Sequence, residues 1–424
     1  MKLLWLCNIV LPEIGDLTGY ASAATGGWLT SALDELKNNQ EYEVIVCFPL
    51  DNKATVKETI NRIKYYSFSR GSILEYNKQN EDFFYEILTK EVPDIIHVWG
   101  TEFPHTLAMA NASERAGYLN RLVINIQGLI SMYGNTTDHY FAGLSERLTK
   151  RNTIRDFLRK DNIWNQREKF SVRGRYEILA LQKARHVIGR TEWDRECVKR
   201  INPNIQYHTC NENLRSTFYS GTWYYDDCEK YSIFVSQCNY ALKGFHRVLE
   251  VLPNIIKKYP DAHLYTTGED LLQAEGFIKR QGKTYYQVYI RKLIHAYSLE
   301  KYVTFCGTLN ADQMKERMLK TNVFISPSAI ENSSNSLGEA MLLGVPCISS
   351  QVGGIRSMMT HGIEGLLYPF NETYLMENYI DKIFGHPEIA EELSAHAKKT
   401  ASERHNVENN TNTLKGIYQR LLAS

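Results

Sequence analysis

Short apolar runs alternate along the chain with longer stretches in which apolar residues recur at helical spacing. The runs do not alternate between apolar and polar residues, so they predict strands that are buried on both faces, as in parallel sheets. The first series of predicted strands is Leu3–Val10, Glu43–Phe48, Asp94–Trp99, Leu122–Ile126 and Arg185–Gly189. The second series is Tyr231–Val235, Ala262–Thr266, Tyr302–Cys306, Val323–Ser326 and Pro346–Ser349. Strands that alternate with helices in two series predict two doubly wound α/β domains.

Two domains also follow from the length of 424 residues, which is too long for one compact core of this kind. The first domain is predicted to span 1–195 and the second 196–404. Residues 405–424 carry apolar side chains at helical spacing and are predicted to form an amphipathic helix that packs back on the first domain. Doubly wound sheets bind ligands at the carboxyl ends of their strands, so a cleft between two facing sheets is the expected site.

Charge and composition exclude several classes of protein. The formal net charge of +1 argues against nucleic acid as the main partner, since phosphate contacts require a clear basic surplus. The eight cysteines show no C-x-x-C pair and no metal-like pairing with histidine, which is typical of a reduced, cytoplasmic protein without a structural metal. No apolar run approaches the ~20 residues that cross a bilayer, and the apolar start ends at Pro12 without a cleavage site for a signal peptide.

One stretch departs from the neutral balance. Residues 147–175 contain ten basic residues and three acidic ones, with apolar residues interleaved. This pattern is open to two interpretations. It is typical of an amphipathic helix that rests on an anionic membrane surface, at the inner face of the membrane for a cytoplasmic protein. It also fits a solvated helix face beside the ligand cleft.

The densest chemical information lies between Ser326 and Pro369. A strand ends at Ser326, a polar loop follows, and a helix is predicted from about Asn335 to Gly344, where glycine is a natural C-terminal cap. The free N–H groups at the start of that helix form an anion site. Glu331 lies in the loop and Glu339 in the helix, and two carboxylates at this place can accept hydrogen bonds from sugar hydroxyls. Taken alone, such a pair is more often a solvent-exposed acid and an ordinary helix acid.

The surrounding residues favour the functional interpretation. The E-x7-E spacing of Glu331 and Glu339, the run Ala340–Ser349 and the glycine pair in Val352–Ile355 together resemble the nucleotide-sugar segment of the retaining glycosyltransferases of family 4, the glycosyl transferases group 1. These enzymes have the GT-B fold, in which two Rossmann-like domains face each other across a cleft. The resemblance therefore implies a transferase that takes a sugar from a nucleoside-diphosphate sugar.

The resemblance also implies roles for particular residues of the second domain. Glu331 contacts the donor sugar, Glu339 the ribose, and Lys243 the diphosphate. The loop that follows Glu331 binds the sugar and phosphates; the family usually has G-F-G there, whereas this chain has N-S-S. Its implied donor contacts are Asn332, Ser333, Ser334 and Asn335. Loops after two further strands are expected to line the base pocket, at Gly268, Gly307 and Leu309.

The first domain resembles the family only in its general plan. Its glycine loop, Gly26 and Gly27, is a candidate for close approach to the donor. Gln127 stands where the family often has a histidine, so this side chain can bind a hydroxyl but cannot titrate. His97 is a second acceptor-side candidate.

A second departure concerns the diphosphate. The family commonly has an arginine where this chain has Cys238, and the candidate replacement is Arg190.

The resemblance thus implies a metal-independent, cofactor-independent, retaining hexosyltransferase, acting on a glycan or a lipid-linked acceptor in the synthesis of a bacterial surface polysaccharide. The alternative is a catalytically silent scaffold that binds a nucleotide-sugar or glycan, which the substitutions at positions 238 and 127 keep open. A hydrolase or epimerase is less favoured because Gln127 offers no acid or base. A dehydrogenase is disfavoured because no G-x-G-x-x-G follows a predicted strand.

Overall fold

The structure, a computed structural model, describes residues 1–18, 27–37, 40–51, 56–135, 137–273 and 282–423. The chain divides into two compact units. The first unit consists of Met1–Met132, Lys169–Leu214 and His405–Ser424. The second consists of Tyr133–Glu168 and Arg215–Arg404. Each unit is built around one sheet.

The sheet of the first unit has the order β3-β4-β2-β1-β5-β6-β7-β8. Its strands are β1 (Lys2–Cys7), β2 (Glu43–Leu50), β3 (Lys57–Ile60), β4 (Ile63–Ser69), β5 (Ile95–Trp99), β6 (Leu122–Asn125), β7 (His186–Gly189) and β8 (Gln206–Thr209). All neighbours are parallel except the β3–β4 hairpin at one edge. The order reverses between β1 and β5, and this reversal is the switch point at which open α/β sheets form their crevice.

The sheet of the second unit has the order β11-β10-β9-β12-β13-β14 and is parallel throughout. Its strands are β9 (Glu229–Val235), β10 (His263–Thr266), β11 (Val303–Phe305), β12 (Thr321–Ser326), β13 (Cys347–Ser350) and β14 (Leu366–Tyr368). Here the order reverses between β9 and β12. The loops that leave these two strands are therefore the ones expected to hold a ligand.

Helices connect the strands in both units. In the first half of the chain they are Pro12–Thr18, Gly27–Lys37, Lys78–Glu91, Pro104–Arg115, Ile130–Asn135, Thr137–Phe141, Glu146–Thr149, Ile154–Arg159, Ile163–Lys183 and Glu192–Ile201. In the second half they are Phe245–Lys258, Tyr285–Ala296, Ala311–Leu319, Asn335–Leu343, Thr373–Gly385, Pro387–Arg404 and Val407–Leu422. Within the described ranges, none of these helices is both long enough and apolar enough to cross a membrane.

The predicted α/β class with two parallel sheets is confirmed. The apolar runs mark ten of the strands to within a few residues. The sequence analysis missed the hairpin of β3 and β4 and the edge strand β8, all of which carry polar residues. The basic stretch is not one helix, since it contains two short helices before the long helix Ile163–Lys183 begins.

The core of the first unit lies on both faces of its sheet. One face packs against the helix Val407–Leu422, whose Leu414, Ile417, Tyr418 and Leu421 are buried with residues of β1 and β2. The Tyr418 hydroxyl lies 2.6 Å from Nδ1 of His97 in β5, across 321 positions of the chain. Residues 405–424 are thus an integral part of the core of the first unit.

A buried carboxyl group joins the helix Ile163–Lys183 to two loops of the first unit. The Glu177 carboxyl accepts hydrogen bonds from the backbone N–H groups of Ile130 (3.2 Å) and Ser131 (2.9 Å), and lies 2.5 Å from Oγ1 of Thr101. The Thr101 hydroxyl also donates to the carbonyl oxygen of Gly128 at 2.9 Å, so its single proton cannot serve both oxygens. Burial raises the pKa of Glu177 to about 7, against the opposing effect of these hydrogen bonds. These contacts hold the loops at Thr101, Ile130 and Ser131 to the helix Ile163–Lys183.

We expect Glu177→Gln to change how the stability of the protein depends on pH. A carboxyl whose folded pKa lies above its unfolded pKa destabilises the fold as the pH rises between the two values. The shift corresponds to a loss of the order of 3 kcal/mol in the free energy of unfolding between about pH 4.5 and pH 7. The glutamine variant lacks this loss, so its melting temperature relative to the wild type should rise across that window.

The measurement is thermal unfolding followed by circular dichroism at several pH values. Glu86→Gln is the matched control, because Glu86 is exposed on the helix Lys78–Glu91 and should leave the pH profile unchanged. A Glu177→Gln profile parallel to that of the wild type would contradict the assignment.

Candidate functional site

The loops that leave β9, β10, β11 and β12 carry the predicted donor-site residues of the second unit. Since these strands are parallel, the loops that follow them lie along one edge of the sheet. Lys243 follows β9, and Glu331 follows β12. The structure therefore brings together residues that are 88 positions apart.

Lys243 and Glu331 form an ion pair between Nζ and Oε1. The same carboxylate oxygen accepts a hydrogen bond of 2.8 Å from the hydroxyl of Ser328. The Lys243 side chain is 23% exposed and that of Glu331 14%, so both charges are partly screened from water. Burial alone would lower the pKa of Lys243, but the charge of Glu331 outweighs it and the pKa is raised. The lysine is therefore a fixed cation at this edge.

Two glycines allow the loops around this ion pair to approach closely. Gly244 has φ = 69°, and a Cβ at this position would lie 1.8 Å from the carbonyl oxygen of Pro327. Gly353 has φ = 49°, and a Cβ there would lie 2.0 Å from the carbonyl oxygen of Glu331. The N–H of Gly354 donates to that same oxygen at 3.0 Å. The backbone on both sides of Glu331 is thus fixed by contacts that only glycine permits.

The helix Asn335–Leu343 begins four residues after Glu331. Its N-cap is Ser334, whose hydroxyl accepts a hydrogen bond of 3.4 Å from the N–H of Leu337. Asn335 is the first residue of the helix, Asn332 is buried in the preceding loop, and the hydroxyl of Ser333 lies 3.5 Å from a guanidinium nitrogen of Arg404. Remaining N–H groups of the first turn are donors for an anion. The site therefore places an anion-binding helix end beside the Lys243–Glu331 ion pair.

Glu339 lies one turn further into the same helix and is held by Arg215. The guanidinium donates two hydrogen bonds of 2.7 Å, one from Nε and one from Nη2, to the two oxygens of the carboxylate. Burial raises the pKa of Glu339, and the hydrogen bonds and charge of Arg215 oppose this rise. Because its carboxylate is only 4% exposed, Glu339 depends on Arg215 to remain ionised.

The glycine loops after β10 and β11 are joined to each other. The N–H of Gly268 donates to the carbonyl oxygen of Gly307 at 3.0 Å, and Leu309 follows, partly buried. Cys238 lies beside them, 1% exposed, with its thiol 3.0 Å from the carbonyl oxygen of Thr267. Burial raises the pKa of this thiol to about 11. The position at which the family commonly has an arginine is therefore occupied by a neutral buried group.

Arg190 and Gln127 lie in the first unit, at the carboxyl ends of β7 and β6. The Arg190 guanidinium is 3% exposed and forms an ion pair with Glu212. It also donates to the carbonyl oxygens of Gln127 (2.8 Å) and Ile126 (3.3 Å). The amide of Gln127 donates to Glu212 and to Oδ1 of Asn125. The structure therefore joins Arg190 and Gln127 into one network around Glu212.

His97, the other acceptor-side candidate, is not part of this network. His97 is completely buried inside β5, where its ring stacks on Trp99 and burial lowers its pKa to about 3. It is a core residue in contact with Tyr418, so we do not include it in the proposed site. Gly27 is the first residue of the helix Gly27–Lys37, and Gly26 lies outside the described residues.

The sequence analysis missed several charged residues at strand ends. Glu212 follows β8, and Glu102 follows β5, where its carboxylate accepts from the side chain of Asn8 (3.0 Å) and the N–H of Gly128 (3.2 Å). Their positions directly after predicted or edge strands could have identified them. Arg215 had no such signal, because its importance comes from its pairing with Glu339 in the folded chain.

Known proteins share both the sequence pattern and the fold. Residues 225–400 match the family described as glycosyl transferases group 1. An uncharacterized glycosyltransferase of Methanocaldococcus jannaschii is 24% identical over 194 residues, which is 46% of this chain and 45% of that protein. The chain spans less than half the length of the curated relatives it matches.

Solved structures match along the whole chain. Sucrose-phosphate synthase from Thermosynechococcus elongatus has a TM-score of 0.70 at 16% identity, covering 100% of this chain and 99% of that one. Anabaena HepE in complex with UDP-glucose has a TM-score of 0.68 at 16% identity, covering 99% of this chain and 100% of that one. At this identity the likeness establishes the fold. The chain has the GT-B fold, and its residues 225–400 are similar to the glycosyl transferases group 1 family.

Proposed function

We propose that the protein transfers a sugar from a nucleoside-diphosphate sugar to a glycan or a lipid-linked acceptor, with retention of configuration. The observation that carries the proposal is the site formed by Lys243, Glu331 and the N-terminus of the helix Asn335–Leu343. A cation and the N–H donors of a helix start suit the charged part of such a donor, and the carboxylates of Glu331 and Glu339 suit its two hydroxyl-bearing parts. These parts are a diphosphate, a hydroxyl-rich sugar and a ribose.

In this proposal the charge that develops on the leaving diphosphate is stabilised by Lys243 and by the N–H groups of the helix start. The bond between the anomeric carbon and the phosphate oxygen breaks, and its electron pair goes to the diphosphate. The acceptor hydroxyl attacks on the same face and its proton passes to the departing diphosphate oxygen, so no nucleophile from the protein is needed. Glu331 accepts hydrogen bonds from the sugar and Glu339 from the ribose. No metal is required, and chelation with EDTA should leave the rate unchanged.

Other donor contacts in this proposal are backbone and polar groups of the same edge. They are Asn332, Ser333, Ser334 and Asn335 for the sugar and phosphates, and Gly268, Gly307 and Leu309 for the base. The first unit would bind the acceptor, with Gln127 as a hydroxyl ligand. Arg190, as the cation that replaces the missing arginine, and the glycine loop at Gly26 and Gly27 stay predictions.

The proposed biological setting is based on the usual role of such transferases. We propose a cytoplasmic enzyme of bacterial surface polysaccharide synthesis. A lipid-linked acceptor would lie at the inner face of a membrane. The basic stretch 147–175 suits peripheral contact with that face and therefore supports such an acceptor.

A second candidate is a catalytically silent protein that binds a nucleotide-sugar and acts as a scaffold. It is favoured by Cys238, whose thiol supplies no charge where a second cation would otherwise stabilise the leaving diphosphate. Binding of a nucleotide-sugar without transfer or hydrolysis would support this candidate.

The proposal is tested first by nucleotide binding. A ligand that binds only the folded state stabilises it, by about 2.7 kcal/mol at a concentration about a hundred times its Kd. This stabilisation raises the melting temperature. We expect a rise of several degrees with one of UDP, GDP or ADP, measured by thermal shift. UDP is tested first because the HepE structure contains UDP-glucose.

Lys243→Ala is the informative variant in this experiment. It removes the fixed cation, so its calorimetric Kd for the same nucleotide should be at least about tenfold weaker. Lys315→Ala, a lysine on the helix Ala311–Leu319 of the same unit, is the control and should bind like the wild type. No shift with any nucleotide would contradict the proposed donor.

We expect Glu331→Gln to lower the transfer rate by at least about a hundredfold, because a neutral amide replaces the carboxylate at the reacting sugar. The variant preserves the size of the side chain and should unfold within a few degrees of the wild type. The measurement is release of the nucleoside diphosphate at saturating donor. Glu316→Gln, on an exposed face of the same unit, should retain the wild-type rate. A Glu331→Gln enzyme of normal rate would remove Glu331 from the site.

Arg215→Gln should raise the pH below which nucleotide binding is lost, which we call the acid limb of binding. Glu339 must be ionised to accept hydrogen bonds from the ribose, so binding is lost as the pH falls through its folded pKa. Loss of Arg215 removes the hydrogen bonds and the charge that oppose the effect of burial, so this pKa rises further. The measurement is the Kd for the nucleotide as a function of pH.

Arg215→Lys is the matched variant, because it keeps the positive charge while losing the bidentate geometry. Its acid limb should lie between those of the wild type and Arg215→Gln. Identical midpoints in all three proteins would show that Arg215 acts on the fold alone and not on the ionisation of Glu339.

A further inference from the structure

The helix Ile154–Arg159 of the second unit presents three large apolar side chains to solvent. Ile154 is 60% exposed, Phe157 74% and Leu158 75%. The last two are the most exposed large hydrophobic residues in the part of the chain that the structure describes. We refer to Ile154, Phe157 and Leu158 as the apolar turn. Isolated exposed hydrophobic residues are common on proteins, but three on one turn of helix mark an interaction site.

The apolar turn is held in place by polar contacts beneath it. Thr153 and Asp156 form a capping box, in which each side chain binds the backbone N–H of the other residue. The Asp156 carboxylate is completely buried and accepts a 2.6 Å hydrogen bond from the N–H of Tyr285. The Thr153 hydroxyl donates to the carbonyl oxygen of Lys283 at 2.8 Å. The fold therefore fixes this turn with its apolar side chains pointing outward.

Basic residues surround the apolar turn. Residues 146–161 include six basic and three acidic residues. The acidic side chains are already paired within this segment, since Arg155 binds both Asp156 and Asp161, and Lys150 binds Glu146. The exposed cations that remain are Arg147, Arg151, Arg159 and Lys160. The surface around the turn is therefore positively charged.

Size and charge together identify the partner. A stable protein–protein interface buries about 1,200–2,000 Å² in total, which three side chains on a single turn cannot supply. A lipid surface has no such requirement, because apolar side chains enter the boundary of the acyl chains while cations bind the phosphates above them. We propose that the apolar turn and its basic surround seat the protein on a membrane surface rich in anionic phospholipid.

This inference goes beyond the proposed transfer reaction, because it concerns where the protein lies and not what it transfers. It rests on the proposed function only for its biological purpose, since a lipid-linked acceptor would lie on the same surface. The alternative is that a second copy of the chain covers the apolar turn. That alternative predicts self-association in the absence of lipid.

The experiment is co-sedimentation of the full chain with vesicles, either of phosphatidylcholine alone or with about one third phosphatidylglycerol. We expect binding to the anionic vesicles that weakens as salt is added, and at least about tenfold weaker binding to neutral ones. Phe157→Ser combined with Leu158→Ser should weaken binding to anionic vesicles by at least about tenfold. Arg159→Gln combined with Lys160→Gln should weaken it and reduce its salt dependence.

Ile363→Ser is the matched control, since Ile363 is 47% exposed in a loop of the same unit and should leave vesicle binding unchanged. Melting temperatures and nucleotide binding without vesicles should be unaffected in the double serine variant. The proposal is overturned if the wild type does not bind anionic vesicles or if the serine variant binds them equally well. It is also overturned if the wild type is a dimer without lipid that the serine substitutions dissociate. Failure of nucleotide binding would instead reject the proposed transfer alone.

Discussion

The ion pair between Lys243 and Glu331 connects the two loops on which the rest of the proposed donor site depends. It joins the end of β9 to the end of β12, the strands between which the order of the second sheet reverses. Two close backbone contacts at Gly244 and Gly353 make this meeting possible. The cation is thus held in place before any ligand binds, and little reorganisation is left for the moment of binding.

The charged residues discussed above for the proposed donor site of the second unit form ion pairs with one another, and the buried arginine of the first unit does so separately. Glu331 holds Lys243, Arg215 holds Glu339, and Arg190 holds Glu212 in the first unit. A charged ligand must therefore exchange partners with these groups, so its affinity is the difference between new and existing interactions. This arrangement keeps buried charges compensated when the site is empty, and it favours ligands that match several pairs at once.

Most of the fold could be predicted from the sequence, because strands that are buried on both faces consist of continuous runs of apolar residues. β4 was missed because it includes Lys64 and Tyr66, whose polar groups find partners only in the folded chain. Both bind Glu91, on a helix that follows later in the chain, and Lys64 also binds Glu43 of β2. The spacing of Glu331 and Glu339 predicted a donor loop, and the structure places the two residues in the loop and the helix that follow β12. Arg215 could not be recognised, since a single arginine in an irregular segment acquires a role only through the carboxylate that it meets in three dimensions.

The helix Val407–Leu422 has a consequence for how the protein is made. Its apolar side chains complete the core against β1 and β2, and Tyr418 reaches His97 in the centre of the sheet. The first unit therefore consists of three segments of chain, and synthesis of its first segment does not suffice to fold it. Domains usually fold in the order in which they are synthesised. Here the sheet of the first unit is synthesised first, but one of its faces lacks the helix that completes its core until residue 422 has been synthesised.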